Sequence, residues 1–272
     1  MKVKVAKTAG FCFGVKRAVE LAEQQAASGK KVYTYGPIIH NEEVTASLEK
    51  KGVKIVSSKE EWNRVPPGTI IIRSHGVSKA EFEEMQDSGH EILDATCPFV
   101  KKIHRIVAEQ SNSGRHIIVI GSEEHPEVQG IIGWCNGPVS VVETPEMVQK
   151  LEIKPGEKVC VVAQTTFNSK KFQDLVEIIE KKRYDIIVLS TICSATEERQ
   201  KETSLLAQES EAMVVIGGLH SSNTRKLYEI SKQKCVNTYF IQKLSDLDLN
   251  LFKSFRSVGI TAGASTPNNI IE

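Results

Sequence analysis

The sequence predicts an α/β protein built from three similar lobes, and three observations lead to this prediction. Short β-branched runs alternate with amphipathic helical stretches from one end of the chain to the other. One pattern of cysteine, glycine and histidine recurs three times in the same order. No linker rich in proline, glycine and serine divides the chain. Together these features predict three lobes with parallel sheets, related by a pseudo-threefold axis, over residues 1–96, 97–192 and 193–272.

The first amphipathic stretch shows how the helices are recognised. Val15, Ala18, Val19 and Ala22 have the i, i+3, i+4, i+7 spacing of a single buried helical face. Eight short apolar runs predict strands, at residues 32–35, 69–73, 91–94, 116–120, 158–162, 185–189, 213–216 and 257–260. All of these runs are far shorter than the roughly 20 residues that a membrane-spanning helix needs.

The composition excludes several classes of partner. Lys and Arg number 35 and Asp and Glu 34 among 272 residues, which gives a formal net charge of +1. Because nucleic acid and anionic membranes call for a basic excess, we expect neither as a partner. The N-terminus lacks the long apolar core of a signal peptide, so we expect a cytoplasmic protein. In that compartment six cysteines favour metal binding, catalysis or packing over disulfides.

Three of the cysteines occupy equivalent places in the sequence. Cys12, Cys97 and Cys193 each follow a predicted strand and open a predicted helix. They are 85 (97 − 12) and 96 (193 − 97) residues apart. The other three, Cys135, Cys160 and Cys235, lie outside this context. We expect Cys160, within an apolar strand, to be a core thiol and the remaining two to be packing or surface thiols.

Two further positions recur after each of these three cysteines. A strand, a glycine and a histidine come 27 or 28 residues later, and another strand with a polar turn comes 63 to 72 residues later. The first position holds His40, His125 and His220, and the second holds His75, Thr165 and Ser265. In parallel α/β units functional groups gather where strands end and helices begin, so we expect the three cysteines to converge among polar residues.

Three thiolates at helix N-termini favour a metal centre, although three ordinary buried cysteines are the alternative. Structural zinc sites normally have four ligands at short spacing, and no such motif is present. A 4Fe–4S cluster accepts ligands scattered along a chain. With three protein ligands, one iron would keep an open position and could act as a Lewis acid.

We expect a ring of polar residues around this cluster: His40, His75, His125, Glu127, Thr165, Ser221, Ser222, Asn223 and Ser265. The run 220–224 precedes a predicted helix and could hold phosphate oxygens, although its Ser and Asn residues could equally be helix N-caps. A carboxylate beside an anionic substrate would have a raised pKa, which suits Glu127 as a proton donor. The alternative is that Glu127 belongs to a solvated acidic turn.

These residues lie in motifs that resemble a known family: 10-GFCFGV-15, 94-DATCP-98, Gly121 with 125-HPE-127, 221-SSN-223 and 261-TAGAS-265. The chain is similar over nearly its whole length to the 4-hydroxy-3-methylbut-2-enyl diphosphate reductases, the LytB family. The resemblance implies a trefoil of three α/β lobes around one 4Fe–4S cluster. It also implies the last step of the non-mevalonate isoprenoid pathway, in which two electrons and two protons remove an allylic hydroxyl to give isopentenyl diphosphate, dimethylallyl diphosphate and water.

The resemblance also implies roles for individual residues. Cys12, Cys97 and Cys193 would be the cluster ligands, and Glu127 would supply a proton close to Thr165 and the substrate hydroxyl. The allylic diphosphate would bind to His40, His75, Ser221, Ser222, Asn223 and Ser265, with His125 near it and contributing to proton delivery. A ferredoxin or flavodoxin would donate electrons.

The sequence departs from the family pattern at one place. Glu197 and Glu198 stand where the family often has an uncharged pair. Both lie in the first turn of a predicted helix, where acids are favourable, so we expect a structural variation only. The residues leave two other interpretations open. One is a non-catalytic iron–sulfur electron carrier or redox sensor. The other is a hydrolytic zinc enzyme with Cys and His ligands, which the wide spacing of the ligands disfavours.

Overall fold

The structure is a computed structural model that describes all 272 residues, in which strands and helices alternate along the chain. The strands are β1 Lys2–Val5, β2 Val32–Tyr35, β3 Lys54–Val56, β4 Thr69–Ile72, β5 Glu91–Asp94, β6 His116–Ile120, β7 Val139–Val142, β8 Lys158–Ala163, β9 Asp185–Val188, β10 Ala212–Ile216, β11 Thr238–Ile241 and β12 Ser257–Ala262. The α-helices are α1 Phe13–Ala26, α2 Glu42–Lys50, α3 Lys59–Arg64, α4 Lys79–Gln86, α5 Pro98–Asn112, α6 Pro126–Gly133, α7 Pro145–Gln149, α8 Ser169–Glu180, α9 Ser194–Glu209, α10 Ser222–Lys234 and α11 Asn268–Ile271. Two short 3₁₀ helices span Leu244–Asp246 and Leu249–Phe252.

The strands form three sheets with one shared topology. Each sheet has four strands, in the orders β3-β2-β4-β5, β7-β6-β8-β9 and β11-β10-β12-β1. Every pairing is parallel. Parallel strands need crossover connections, and the intervening helices supply them. The predicted α/β class with three parallel-sheet lobes is therefore confirmed.

The N-terminal strand completes the third sheet. Strand β1 pairs with β12, with Val3 opposite Val258, and so takes the edge place that β5 and β9 hold in the other sheets. Each of these three edge strands is followed, within seven residues, by a cysteine that precedes a helix. The boundaries 1–96, 97–192 and 193–272 stay a prediction, since this arrangement assigns sheets rather than domain limits.

The chain divides into two compact units, each with its own apolar core. The first unit comprises Met1–Lys16, Ile39–Ser47 and Cys193–Glu272, and the second comprises Arg17–Ile38 and Leu48–Ile192. The core of the first unit lies around the wholly buried β10, and that of the second around β4 and β8. Buried β-branched strands of this kind are typical of parallel sheets covered on both faces.

Within the second unit, two contacts of Trp134 fix the turn after β4 against α5 and α6. The indole N–H of Trp134, at the end of α6, donates a 2.9 Å hydrogen bond to the Val77 carbonyl. The Trp134 ring also stacks on the buried His104 of α5, with ring centroids 5.3 Å apart. These contacts hold in place the turn that carries His75. No helix anywhere in the chain combines the length and apolar character needed to cross a membrane.

Candidate active site

The three predicted cluster ligands share one local geometry. Cys97 and Cys193 are the N-cap residues of α5 and α9, and the carbonyl of Cys12 accepts the first main-chain bond of α1 from Lys16 N at 2.9 Å. All three thiols are half-buried. The positive end of a helix dipole stabilises a thiolate, so each cysteine stands where a metal-binding thiolate is favoured.

The other three cysteines are packed into apolar surroundings. Cys160 in β8 and Cys235 after α10 are buried, and Cys135 packs against the core cluster of β6 and β8. Burial raises the pKa of the Cys135 thiol to about 12 and that of Cys160 to about 11. A thiol that stays protonated is a poor metal ligand, which agrees with the expectation of a core thiol at Cys160 and of a packing or surface thiol at Cys135.

In the second unit, Glu127 is buried and bound by Thr165. Only 2% of Glu127 is exposed, whereas Glu123 and Glu124 of the same turn are exposed. Thr165 donates from its main-chain N to Glu127 Oε1 at 2.6 Å and from its hydroxyl to Oε2 at 2.7 Å. Burial raises the pKa of Glu127 to about 7, against the opposing effect of these two hydrogen bonds. Glu127 therefore does not belong to a solvated acidic surface.

The start of α6 turns Glu127 inward and places His125 beside it. His125 is the N-cap, and its Nδ1 accepts a 3.1 Å hydrogen bond from the main-chain N of Glu127. In a neutral imidazole this bond leaves the proton on Nε2. The rings of His75 and His125 meet edge to face with centroids 5.5 Å apart. The main-chain N of Cys97 donates to Ser74 O at 2.9 Å, next to His75.

In the first unit, hydroxyl groups gather around the start of α10. The Ser265 hydroxyl lies 3.3 Å from the Ser221 hydroxyl and 3.2 Å from the His40 carbonyl. Ser221 is the N-cap of α10, whose first helical residue is Ser222. The structure thus brings together His40, Ser221, Ser222 and Ser265 as one polar group.

Asn223 stands out within this group because its side-chain amide is buried and has no hydrogen-bond partner. The residue is 4% exposed, and neither Oδ1 nor Nδ2 makes a hydrogen bond. Buried polar groups are normally paired, and leaving one unpaired costs roughly 1–3 kcal/mol. A polar ligand at the start of α10 would satisfy this amide, and helix N-termini favour anions.

Gly217 lets the turn after β10 lie against α10. Its φ is +155°, and a Cβ there would come 2.6 Å from Thr224 Oγ1 and 2.9 Å from Thr266 Oγ1. Any larger residue would push the turn away from the helix. The glycine that follows β10 in the sequence therefore permits the close approach that an anion cradle requires.

The charge distribution in the first unit suits an anionic iron–sulfur group. Burial lowers the pKa of the Arg199 guanidinium, while the nearby Cys12 and Cys193 act in the opposite direction. Arg199 is 5% exposed and its Nε has no hydrogen-bond partner. Two thiols are the donor type that an iron–sulfur cluster requires, and a buried cation on which both act electrostatically suits the negative charge of such a cluster.

Sequence reasoning missed this arginine and a second one, Arg17. In the second unit, Arg17 donates to the carbonyls of Asp94, Ala95 and Thr96 at 3.3–3.4 Å. The available signal was positional: Arg17 is five residues after Cys12 (17 − 12) and Arg199 six after Cys193 (199 − 193). In both cases an arginine lies about one and a half helical turns beyond a cysteine that precedes a helix.

Comparison with known proteins finds similarity along the whole chain. The profile of the family described as LytB protein matches residues 3–272. The 4-hydroxy-3-methylbut-2-enyl diphosphate reductase of Thermoanaerobacter sp. strain X514 is 46% identical over 275 residues, which cover 100% of this chain and 94% of that relative. A solved structure of (E)-4-hydroxy-3-methyl-but-2-enyl diphosphate reductase, the terminal enzyme of the non-mevalonate pathway, is 42% identical with a TM-score of 0.70 and covers 100% of this chain and 96% of its own. The E-1-hydroxy-2-methyl-but-2-enyl-4-diphosphate reductase of Plasmodium falciparum is 30% identical with a TM-score of 0.92, covering 99% and 85%.

Proposed function

The chain belongs to the LytB protein family, and we propose that it is a 4-hydroxy-3-methylbut-2-enyl diphosphate reductase. The reaction adds two electrons and two protons to the allylic alcohol, breaks its C–O bond, and forms isopentenyl or dimethylallyl diphosphate and water. The observation that carries the proposal is Glu127, a buried carboxyl with a pKa of about 7 held by Thr165. A non-catalytic electron carrier would need no such group.

The diphosphate end of the substrate would bind at the polar group around the start of α10. Main-chain N–H groups and the helix dipole favour its negative charge, and Ser221, Ser222 and Ser265 offer hydroxyl donors. The unpaired amide of Asn223 would donate to a phosphate oxygen from Nδ2. We include His40 and His75 as further donors. This set holds an anion without a cluster of Lys or Arg, which accords with the net charge of +1.

We propose that Cys12, Cys97 and Cys193 hold one 4Fe–4S cluster. When bound, such a cluster supplies electrons and, with three protein ligands, an open Lewis-acid position. The electrons would come from a ferredoxin or flavodoxin. We place the protein in the cytoplasm, where cysteines stay reduced, which cell fractionation would test.

Glu127 would deliver the proton that turns the leaving hydroxyl into water. Near neutral pH a carboxyl with a pKa of about 7 is protonated in a large fraction of molecules and can still release its proton. The two hydrogen bonds from Thr165 fix the orientation of the carboxyl group. His125 Nδ1 accepts a hydrogen bond from the main-chain N of Glu127, so a neutral imidazole carries its proton on Nε2, and His125 would pass on a proton from that nitrogen.

The test is anaerobic turnover of the hydroxylated C5 diphosphate with a chemical reductant. Glu127→Gln keeps the size of the side chain but cannot donate a carboxyl proton, so we expect kcat to fall roughly 100-fold or more with little change in KM. Glu123→Gln, which alters an exposed carboxylate of the same turn, should leave turnover unchanged.

Two outcomes would contradict the proposal. If Glu127→Gln reduced the substrate at the normal rate, Glu127 would not be the proton donor. If the wild-type protein contained iron and sulfide, accepted electrons and left the diphosphate intact, the electron-carrier interpretation would replace the reductase.

A further inference from the structure

The guanidinium of Arg199 joins two segments that carry predicted cluster ligands. Its Nη2 donates to the carbonyl of Gly10 at 2.7 Å, two residues before Cys12. Its Nη1 donates to the carbonyl of Ala195 at 3.0 Å, two residues after Cys193. One side chain therefore fixes the distance between the chain that enters Cys12 and the first turn of α9.

The surroundings of Arg199 indicate an electrostatic role in addition to its role in packing. The side chain is 5% exposed, and removing a permanent cation from water is costly unless negative charge compensates it. The groups that act on it electrostatically are Cys12, Cys193, Glu198 and Glu202. Cys12 and Cys193 act on it more strongly than either carboxylate does. Glu198 is exposed, and the carboxylate of Glu202 is shared with main-chain N–H groups. Thiolates at Cys12 and Cys193 would therefore supply the largest part of the compensating negative charge.

Glu202 shows that the segment before Cys12 has a second anchor on α9. Its carboxylate accepts hydrogen bonds from the main-chain N of Lys7 at 2.8 Å and of Thr8 at 2.9 Å, and from the Thr8 hydroxyl at 2.6 Å. Loss of Arg199 would leave these contacts in place. Variants at Arg199 should therefore keep the fold of this segment while changing the immediate setting of the thiols.

The second unit contains a similar contact, which supports a common purpose. Both terminal nitrogens of Arg17 point to consecutive carbonyls, those of residues 94 to 96, immediately before Cys97. A guanidinium thus binds one main-chain carbonyl shortly before Cys12 and three immediately before Cys97. The planar fork of arginine suits such multiple contacts, whereas the single ammonium of lysine does not.

We propose that Arg199 is a positioning residue for the iron–sulfur cluster. Its side chain ties the segment of Cys12 to the helix of Cys193 and keeps a permanent positive charge near both thiolates. This inference rests on the proposed function, because it takes these two cysteines as cluster ligands. The fixed charge favours the state of the cluster that carries one more electron, so it raises the reduction potential. The two hydrogen bonds hold the segments of Cys12 and Cys193 in the positions from which their thiols would bind iron.

The experiment compares wild type, Arg199→Met and Arg199→Lys as anaerobically reconstituted proteins. Arg199→Met removes the charge and both hydrogen bonds, so we expect a midpoint potential more negative than that of wild type and loss of the cluster to a chelator roughly 10–100-fold faster. Arg199→Lys keeps the charge but not the bridge, so its midpoint should stay near wild type while cluster loss remains faster. A purely structural role would not separate these two readouts.

Arg105→Met is the matched control, since Arg105 lies on α5 with 71% of its side chain exposed and should change neither readout. Circular dichroism checks that each variant is folded, and if Arg199→Met is unfolded, Arg199→Gln takes its place, because it also removes the charge while keeping a polar side chain. Wild-type values of potential and cluster lifetime in the Arg199 variants would overturn this inference and leave the proposed function intact. A wild-type protein that takes up no cluster would overturn the proposed cofactor and this inference with it.

Discussion

Glu127 lies where its ionised form is disfavoured, because burial removes water from the carboxylate and only two hydrogen bonds from Thr165 replace it. The same environment that prepares a proton donor near neutral pH therefore costs stability once the group ionises. The pKa rises from its ordinary value of 4.5 to about 7, a difference that corresponds to about 3 kcal/mol. Folded protein binds more protons than unfolded protein between these two values, so its stability falls as pH rises through that window.

Thermal unfolding at pH 5 and pH 8 would test this effect in wild type and Glu127→Gln. The glutamine does not titrate, so we expect the melting temperature of wild type relative to the variant to be lower at pH 8 than at pH 5. The direct comparison cancels the titration of every other group. A difference in melting temperature that is the same at both pH values would show that Glu127 ionises as freely as an exposed carboxylate.

Individual residues also show which features of the candidate site could be predicted from the sequence and which could not. The motif 125-HPE-127 pointed to Glu127, but an acidic turn with two other glutamates gives no sign of which carboxylate is buried. Glu127 lies in the first turn of α6, directly after the proline that begins the helix, and its burial is apparent only once the helix is in place. Arg199 escaped prediction because its bond to Gly10 joins residues 189 positions apart. Local patterns carry no information about such a contact.

At the scale of elements, the turn between β4 and α4 shows how a glycine positions His75, a predicted substrate-binding residue. Gly76 follows His75 with φ +76°, and a Cβ there would come 2.8 Å from Cε1 of the buried His104 and 3.0 Å from Cγ2 of Thr96. His104 is itself fixed by its stack on Trp134. The His75 turn is thus packed on a rigid surface and has no room for a side chain.

Gly76→Ala should therefore destabilise the protein more than Gly29→Ala. Gly29 has a similar φ of +74° but nothing within 4 Å of its Cβ position, so its substitution measures the conformational cost alone, about 1–2 kcal/mol. Gly76→Ala adds the clash with His104, and we expect a larger fall in melting temperature together with a raised KM for the diphosphate. Equal melting temperatures in the two variants would mean that the turn can move away from His104.

The elements themselves were predicted unevenly, for reasons that lie in their surroundings. All eight predicted strands are present: the six inner strands β2, β4, β6, β8, β10 and β12, which are largely buried, and the edge strands β5 and β9, which are only partly buried. The four strands that were missed, β1, β3, β7 and β11, are the remaining edge strands, and each has three or four residues. Edge strands bury less side-chain surface, so their sequences show a weaker apolar pattern.

At the scale of the whole chain, the repeat is complete only because the N-terminus supplies the last strand. Counting from β2, each sheet takes three consecutive strands and then a fourth that leads to a cysteine and a helix: β5 to Cys97, β9 to Cys193, and β1 to Cys12. The spacing of cysteines and histidines predicted three equivalent units. It could not show that β1 belongs with β12, because that pairing joins opposite ends of the sequence.

Because Cys12, Cys97 and Cys193 occupy equivalent places in the three repeats, they can be tested as one set of cluster ligands. If the three thiols serve one cluster, then Cys12→Ser, Cys97→Ser and Cys193→Ser should each lose most of the iron and sulfide, and with them the brown colour. Cys135→Ser is the control, because that half-buried thiol has its pKa raised to about 12 by burial and packs against apolar side chains. Iron and sulfide analysis after anaerobic reconstitution measures all four variants under one condition. Were Cys135→Ser to lose as much iron as the other three, the repeat would have identified the wrong thiols; retention of a full cluster by any one of the three would remove that cysteine from the set of ligands.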